Sequence, residues 1–430
     1  MNSSRNIAAA AIVALSCAGM FFRAGASEAE EGVRISERFG FDPEDSTCFI
    51  QEAINSGARK LIIDRKETPW IVRPIKGRSD LTLVFEKGVE VRAKKGEFRG
   101  VADILFRFEN ATNVFLDGRG AVLRMNKADY QKPPYAKAEW RSGLCFHSCE
   151  NIRISGLKVV ETGGDGLYLG DRTGNRPCRN VVVRRCIFEN NHRQGVSVIS
   201  ADNLLIEDCI MRGTSGTAPQ DGIDFEPNKQ NHQFTRCIVR KCRFENNKGA
   251  GIDIHPVPFR SSTVPVDITF EDCYSTGNRY GVVYSGFTGR DLVTGRVRFV
   301  RCVFERECGA ALGVFNKPVR SVSMMFEDCG FLSNCVASAV ESDILFDMQQ
   351  LKDETADGVV FSNQKIVQAI RRPWFLIRGN GQVVNGVKNV FGNVEVTDVD
   401  GKTSKRTLDP DFWGLDVAGE GVLVSDLLKK

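Results

Sequence analysis

"NVVVRRCIFENN" (180–191), "NLLIEDCIMRG" (203–213) and "CIVRKCRFENN" (237–247) are variants of one phrase. Each reads as an alternating apolar–polar strand ending in a cysteine, and "ITFEDCYSTGN" (268–278), "VRFVRCVFERE" (297–307) and "MMFEDCGFLSN" (324–334) continue the series. The cysteines Cys186, Cys209, Cys242, Cys273, Cys302 and Cys329 follow one another at intervals of 23, 33, 31, 29 and 27 residues. A period of that length, built from strands without helices, predicts a solenoid whose units bury their apolar faces against their neighbours. Stacked cysteines then serve as small apolar fillers of the coil wall. Parallel side chains in one stack are poorly aimed for a disulfide dihedral near ±90°, so a reduced ladder is expected.

A second strand in each unit starts at a glycine. The series runs "SGLCFH", "DGLYLG", "QGVSVI", "DGIDFE", "AGIDIH" and "YGVVYS", with Gly143, Gly166, Gly195, Gly222, Gly251 and Gly281 aligned. One and three residues after the glycine stand apolar residues such as Ile223 and Phe225, which strand alternation turns to the inner wall. Positions two and four after it are expected to face solvent. Asn190-Asn191 and Asn246-Asn247 occupy equivalent turns, where stacked amides can satisfy one another along the axis.

The chain has 430 residues, 42% hydrophobic and 26% charged, with 41 glycines, 14 cysteines and a formal net charge of +4. A surface so nearly balanced offers no argument for a nucleic-acid partner. Arg5, an apolar stretch over 7–22 and Ala24-Gly25-Ala26 read as a secretory leader cleaved before Ser27. Cys17 makes a weaker match to a lipoprotein signal, because Ala14 stands where a larger aliphatic residue is usual. No later stretch approaches the ~20 apolar residues of a membrane span. A secreted or periplasmic monomer is the expectation.

From "DSTCFIQEAINSGARKLIID" (45–64) to about residue 335 the chain resembles the right-handed parallel β-helices of the pectate-lyase and polygalacturonase superfamily. The resemblance implies an all-β solenoid whose N-terminal end is plugged by a capping helix. The residues support that role, since Phe49, Ile50, Ala53 and Ile54 form an apolar stripe over 46–56 and Gly57 follows as a stop. The expected organisation is a leader (1–26), an N-terminal segment with the capping helix (27–75), the β-helix with its groove (76–345), and C-terminal coils with a cap (346–430). "PDFWGLDV" (410–417) is expected to pack Phe412 and Trp413 onto that end. The superfamily contains hydrolases, lyases, epimerases and non-catalytic binding proteins, so the reaction must be argued from the site.

Two residues after the glycine the coils carry Cys145, Tyr168, Ser197, Asp224, Asp253 and Val283; four after it, His147, Gly170, Ile199, Glu226, His255 and Ser285. Coils stack at ~4.8 Å, which places Asp224 beside Asp253 and Glu226 beside His255. Carboxyls so crowded cannot all ionise cheaply, and one raised pKa beside one retained charge is what glycoside hydrolysis requires. Asp224 and Asp253 are therefore read as the central pair, Glu226 and His255 as acid–base partners or sugar ligands, and Asp221 as a supporting group. Asp221 and Asp165 precede glycines, where a turn role competes with a chemical one.

The insertion "RMNKADYQKPPYAKAEWRSG" (124–143) offers Tyr135, Trp140 and Arg141 to a sugar, with Asp165, Tyr168 and Lys229 as further substrate-binding candidates. The segment "QDGID" resembles part of the polygalacturonase signature at Asp221, Gly222, Ile223 and Asp224, but the Asp-Asp, Gly-His-Gly and Arg-x-Lys elements are not at the matching places. The expected function is an exported glycoside hydrolase acting on a polysaccharide or oligosaccharide without a cofactor. Alternatives are a lyase or epimerase acting on uronates with Ca²⁺, for which Lys229 and Arg260 are candidate bases, and a non-catalytic glycan-binding or surface-structural solenoid.

Overall fold

From Lys60 to Asp347 each coil of the computed structural model contains three strands. The structure describes residues 32–171, 176–286, 291–318, 321–337, 342–347, 356–378, 387–408 and 422–424. The leader, Cys17, Phe412 and Trp413 lie outside them. The glycine-led strands are Leu144–His147 (β1), Leu167–Gly170 (β2), Gln194–Val198 (β3), Asp221–Phe225 (β4), Ala250–Ile254 (β5) and Tyr280–Ser285 (β6). They pair in parallel, one coil on the next, within a twelve-stranded sheet of the described residues.

The strand expected to end at each cysteine stops two residues short of it, and a further short strand follows the cysteine. Strands such as Cys178–Arg184, Ala201–Glu207 and Phe234–Arg240 end before the cysteine, and short strands Ile187–Glu189, Ile210–Arg212 and Arg243–Glu245 follow it. Between them Arg185, Asp208, Lys241, Asp272, Arg301 and Asp328 take φ of 50, 53, 52, 52, 51 and 53°. A single left-handed residue turns the chain through a corner without a loop, so apolar–polar alternation runs on across the bend and hides it from the sequence.

Inside the wall all six cysteines of the ladder are buried, and the described cysteines carry free thiols. Phe270, Phe299, Phe326 and Phe361 stack beside them with centroids 4.9, 4.6 and 5.5 Å apart. The amide ladder extends further than the paired asparagines indicate. Asn247 Nδ2 donates to Asn278 Oδ1 at 2.8 Å, Asn278 N–H to Glu307 Oε2 at 2.7 Å, and Glu307 N–H to Asn334 Oδ1 at 3.0 Å.

At the N-terminal end the Thr47–Asn55 helix lays Ile50, Ala53 and Ile54 on the first coil, with Phe49 half-buried beside them. Gly57, at φ 85°, ends it as expected. Strand pairing begins at Val33–Arg34, which lies parallel to Lys60–Ile63, itself paired with Leu81–Phe85. At the other end Val387–Thr397 continues the parallel stack and then pairs antiparallel with Thr403–Leu408. Lys405 and Arg406 stand on this last strand, a suitable composition for an unpaired sheet edge.

Candidate functional site

The expected juxtaposition of acids is present. In the β3–β4–β5 stack, Ser197 pairs with Asp224 and Asp224 with Asp253. The next residues continue the register: Glu226 N–H donates to Val198 O at 3.1 Å and His255 N–H to Phe225 O at 3.0 Å, which puts Glu226 and His255 on adjacent rungs.

The solvent-facing column predicted for these positions is partly covered. Asp224 is only 1% exposed and Ser197 is fully buried, whereas Asp253 and His255 are partly exposed and the Glu226 side chain is 30% exposed. Asp224 points out of the coil but lies under its neighbours. Gln194 Nε2 donates to its Oδ2 at 2.7 Å and Arg193 Nη1 lies 3.9 Å from the same oxygen, while Oδ1 has no hydrogen-bond partner. Asp253 Oδ1 has none either.

Arg193 organises the cluster, and sequence reasoning passed over it. Its Nη2 donates to Glu226 Oε2 at 2.7 Å, its Nη1 lies 3.7 Å from Asp165 Oδ1, and its Nε lies 3.8 Å from Glu139 Oε1. The guanidinium is mostly buried; burial alone would lower its pKa, but Asp165, Asp224 and Glu226 outweigh that and keep it charged. The signal available was position: Arg193 and Gln194 directly precede the glycine of β3, the strand stacked on the acidic coil. Loop-like surroundings ("NNHRQG") gave no reason to turn the side chain toward β4.

Burial sets the protonation pattern. It pushes both Asp224 and Asp253 well above the usual carboxylate range, with like charges adding to the effect. The two differ in what opposes the shift. Arg193 pulls Asp224 back toward ionisation, while at Asp253 the acids Asp221, Asp224 and Glu226 add to the shift and the Ile254 backbone N–H opposes it. The stack therefore holds a proton, and Arg193 acts against its sitting on Asp224. Burial also raises Asp165 and Asp221 to about 7 and lowers His255.

Asp221 serves the backbone. Its Oδ1 accepts the Ala250 N–H at 2.5 Å and its own N–H donates to Gln194 Oε1 at 2.7 Å, so it ties β3, β4 and β5 together from a buried position. Arg141 and Tyr135, read as sugar ligands, turn inward. Arg141 is fully buried, donating to Phe98 O at 2.8 Å and Ala136 O at 2.5 Å and lying over the Tyr130 and Tyr135 rings. The Tyr135 hydroxyl accepts the Gly96 N–H at 2.9 Å. These groups pin the insertion to the coil.

Lys229 lies 3.3 Å from Asp171 Oδ2, and His232 Nε2 lies 2.8 Å from Asp171 Oδ1 while its Nδ1 accepts the Asn228 N–H. That network anchors the loop after β4. Arg260, the other base of the lyase reading, donates to Val257 O and Phe259 O. Among the described residues no group of three or more His, Cys, Asp or Glu side chains is arranged to hold a metal ion, and a guanidinium lies among the acids. The residues present do not by themselves form a Ca²⁺ site.

Trp140, Tyr168 and Asp165 come together in the structure. They line a cavity of about 460 Å³ with Arg107, Ser142, His147 and the 100–104 loop. Trp140 is 52% exposed, and the Tyr168 ring lies 5.4 Å from His147. Asp165 belongs to both the cavity wall and the Arg193 cluster, so the cavity and the acids are neighbours.

Known proteins agree with this architecture. Residues 112–294 match the family described as right handed beta helix region. The chain is 32% identical over 96 residues to the uncharacterized protein YclG of Bacillus subtilis, 20% of this chain and 16% of that protein. It is 23% identical over 180 residues to a probable polygalacturonase of Arabidopsis thaliana, 39% of this chain and 37% of that one. The chain thus spans less than half the length of these curated relatives. Among solved structures, the tailspike protein of E. coli bacteriophage HK620 in complex with pentasaccharide superposes with a TM-score of 0.60 at 15% identity, over 84% of this chain and 65% of that one. A family 28 exopolygalacturonase of Yersinia enterocolitica gives 0.59 at 12% identity, over 92% and 77%. The A-module of the mannuronan C-5 epimerase AlgE4 of Azotobacter vinelandii gives 0.58 at 11%, over 84% and 95%.

Proposed function

We propose, from the premise that this chain is a right-handed parallel β-helix protein, that it is an exported glycoside hydrolase in which Asp253 is the general acid and Glu226 the general base. The observation that carries the reading is the difference in access within the acidic stack. Asp253 and Glu226 are partly exposed, whereas Asp224 is buried. A buried carboxyl cannot attack a sugar, but it can hold a proton on the neighbour that touches one.

One rung and two strand positions separate Asp253 from Glu226, about 4.8 Å and about 6.6 Å, or about 8 Å on the diagonal between backbones. Carboxyl groups carried on backbones so placed have the reach to stand ~6.5–9.5 Å apart, the separation at which a water fits between sugar and base in an inverting enzyme. Asp253 gives its proton to the glycosidic oxygen as the bond to the anomeric carbon breaks. Glu226, oriented by Arg193, takes a proton from the water whose oxygen bonds to that carbon. Asp253 ends ionised and Glu226 protonated, and exchange with solvent restores both.

The test is the product. New reducing ends without absorbance at 235 nm support hydrolysis, and NMR of the first product should show the inverted anomer. An unsaturated uronate product would overturn the reading, as would full turnover by Asp253→Asn.

A further inference from the structure

We propose that the cleft selects a neutral oligosaccharide, with one uncharged sugar over Asp253 and Glu226 and a neighbouring sugar stacked on Trp140. The inference rests on the hydrolase site above and names the substrate class that site accepts.

The argument is electrostatic. Asp165, Asp221, Asp224 and Glu226 gather around one guanidinium with Asp253 on the next rung, five carboxyl groups in all, and that guanidinium is already paired with Glu226. Even with two of the five protonated the cluster keeps a negative sum. The cations near the cleft are occupied. Lys229 pairs with Asp171, Arg260 caps two carbonyls of its own loop, and the Arg279 guanidinium lies over Tyr280. His255 is held toward its neutral form by burial. A uronate at the reacting position would bring another negative charge among these acids, where each cation named above already has a partner among the described residues.

The cavity next door has matching chemistry. Its single arginine, Arg107, donates to Ala102 O and lies 3.7 Å from Glu109, and Asp103 and Asp165 share the wall. What it presents openly is the Trp140 indole, half exposed. An aromatic face beside hydroxyl and carboxyl acceptors is a partner for the C–H face and hydroxyls of an uncharged sugar ring.

The experiment pairs neutral polysaccharides (galactan, arabinan, xylan, mannan) with the uronans polygalacturonate and alginate, assayed for reducing ends and for binding by affinity electrophoresis. The expected result is turnover or retardation by a neutral glycan and neither by the uronans. Trp140→Ala should raise KM about tenfold with kcat nearly unchanged, as loss of a stacking contact in ground and transition states alike requires. Uronan turnover abolished by Asp253→Asn overturns the neutral-substrate inference while leaving the hydrolase reading intact. Neutral binding weakened by Trp140→Ala but without product does the reverse. No turnover and no binding in either class overturns both.

Discussion

Arg193 and Glu226 are joined at 2.7 Å across neighbouring coils, from the turn before β3 to the residue after β4. This pair sets the charge pattern of the cleft, because the same guanidinium reaches Asp224 and Asp165 but is absent from the surroundings of Asp253. An arginine placed one coil later would act against a proton on Asp253 instead.

Asp253→Asn should lose at least about 100-fold in kcat on a natural glycan, the range general acid catalysis supplies. On an aryl glycoside whose leaving group needs no proton most of the rate should return. Glu226→Gln should show no such recovery. Equal losses of the Asp253 variant on both substrates would contradict its role as proton donor.

Asp224→Asn tests action through a neighbour. The Asp224 charge helps hold the Asp253 pKa up, so its removal lowers that pKa. The acid must be protonated to work, and the alkaline limb of the kcat/KM profile should therefore move down by about one pH unit. A uniform drop with an unmoved profile would mean that Asp224 is only structural.

Arg193→Lys keeps the charge but loses the planar fork that spans Glu226, Asp165 and Asp224. Misplacement of Glu226 should cost about 100-fold in kcat. Retention of activity by the lysine variant would show that charge alone suffices.

Glu307 provides a stability prediction away from the cleft. Burial in the asparagine ladder pushes its pKa to about 8. The native state then keeps a proton that the unfolded chain releases above its ordinary value of 4.5. Stability is full below that value and is lost as pH rises toward about 8. Glu307→Gln removes this dependence. Its Tm should overtake that of the parent by at least about 3 °C between pH 5 and pH 9, and parallel Tm curves would rule the effect out.

The cysteine ladder should be indifferent to reductant. Dithiothreitol should leave Tm unchanged, and thiol titration of the denatured protein should find every described cysteine free.

The six glycine-led segments were legible because a strand period of two and a repeating apolar position leave one register that buries Ile223, Phe225, Ile252 and Ile254 together. That register placed Asp224 against Asp253 before any coordinates. The short third strands were not legible, since a one-residue left-handed corner at Asp208 or Lys241 leaves alternation intact. Arg141 and Trp140 are adjacent in an insertion without periodicity, so nothing in the order of residues shows that one is buried against Phe98 O while the other faces the cleft.

The amino-acid sequence alone determined the solenoid, its coil-to-coil alignment, the thiol ladder and the stacking of distant carboxyls, because parallel pairing of near-identical repeats is a local and repetitive demand. Tertiary structure decided which carboxyls meet solvent and which charge answers them. Access and pairing depend on how turns and insertions of unequal length fold over the sheet, and Arg193 came to lie over Asp224 and against Glu226 only when three coils were closed at once.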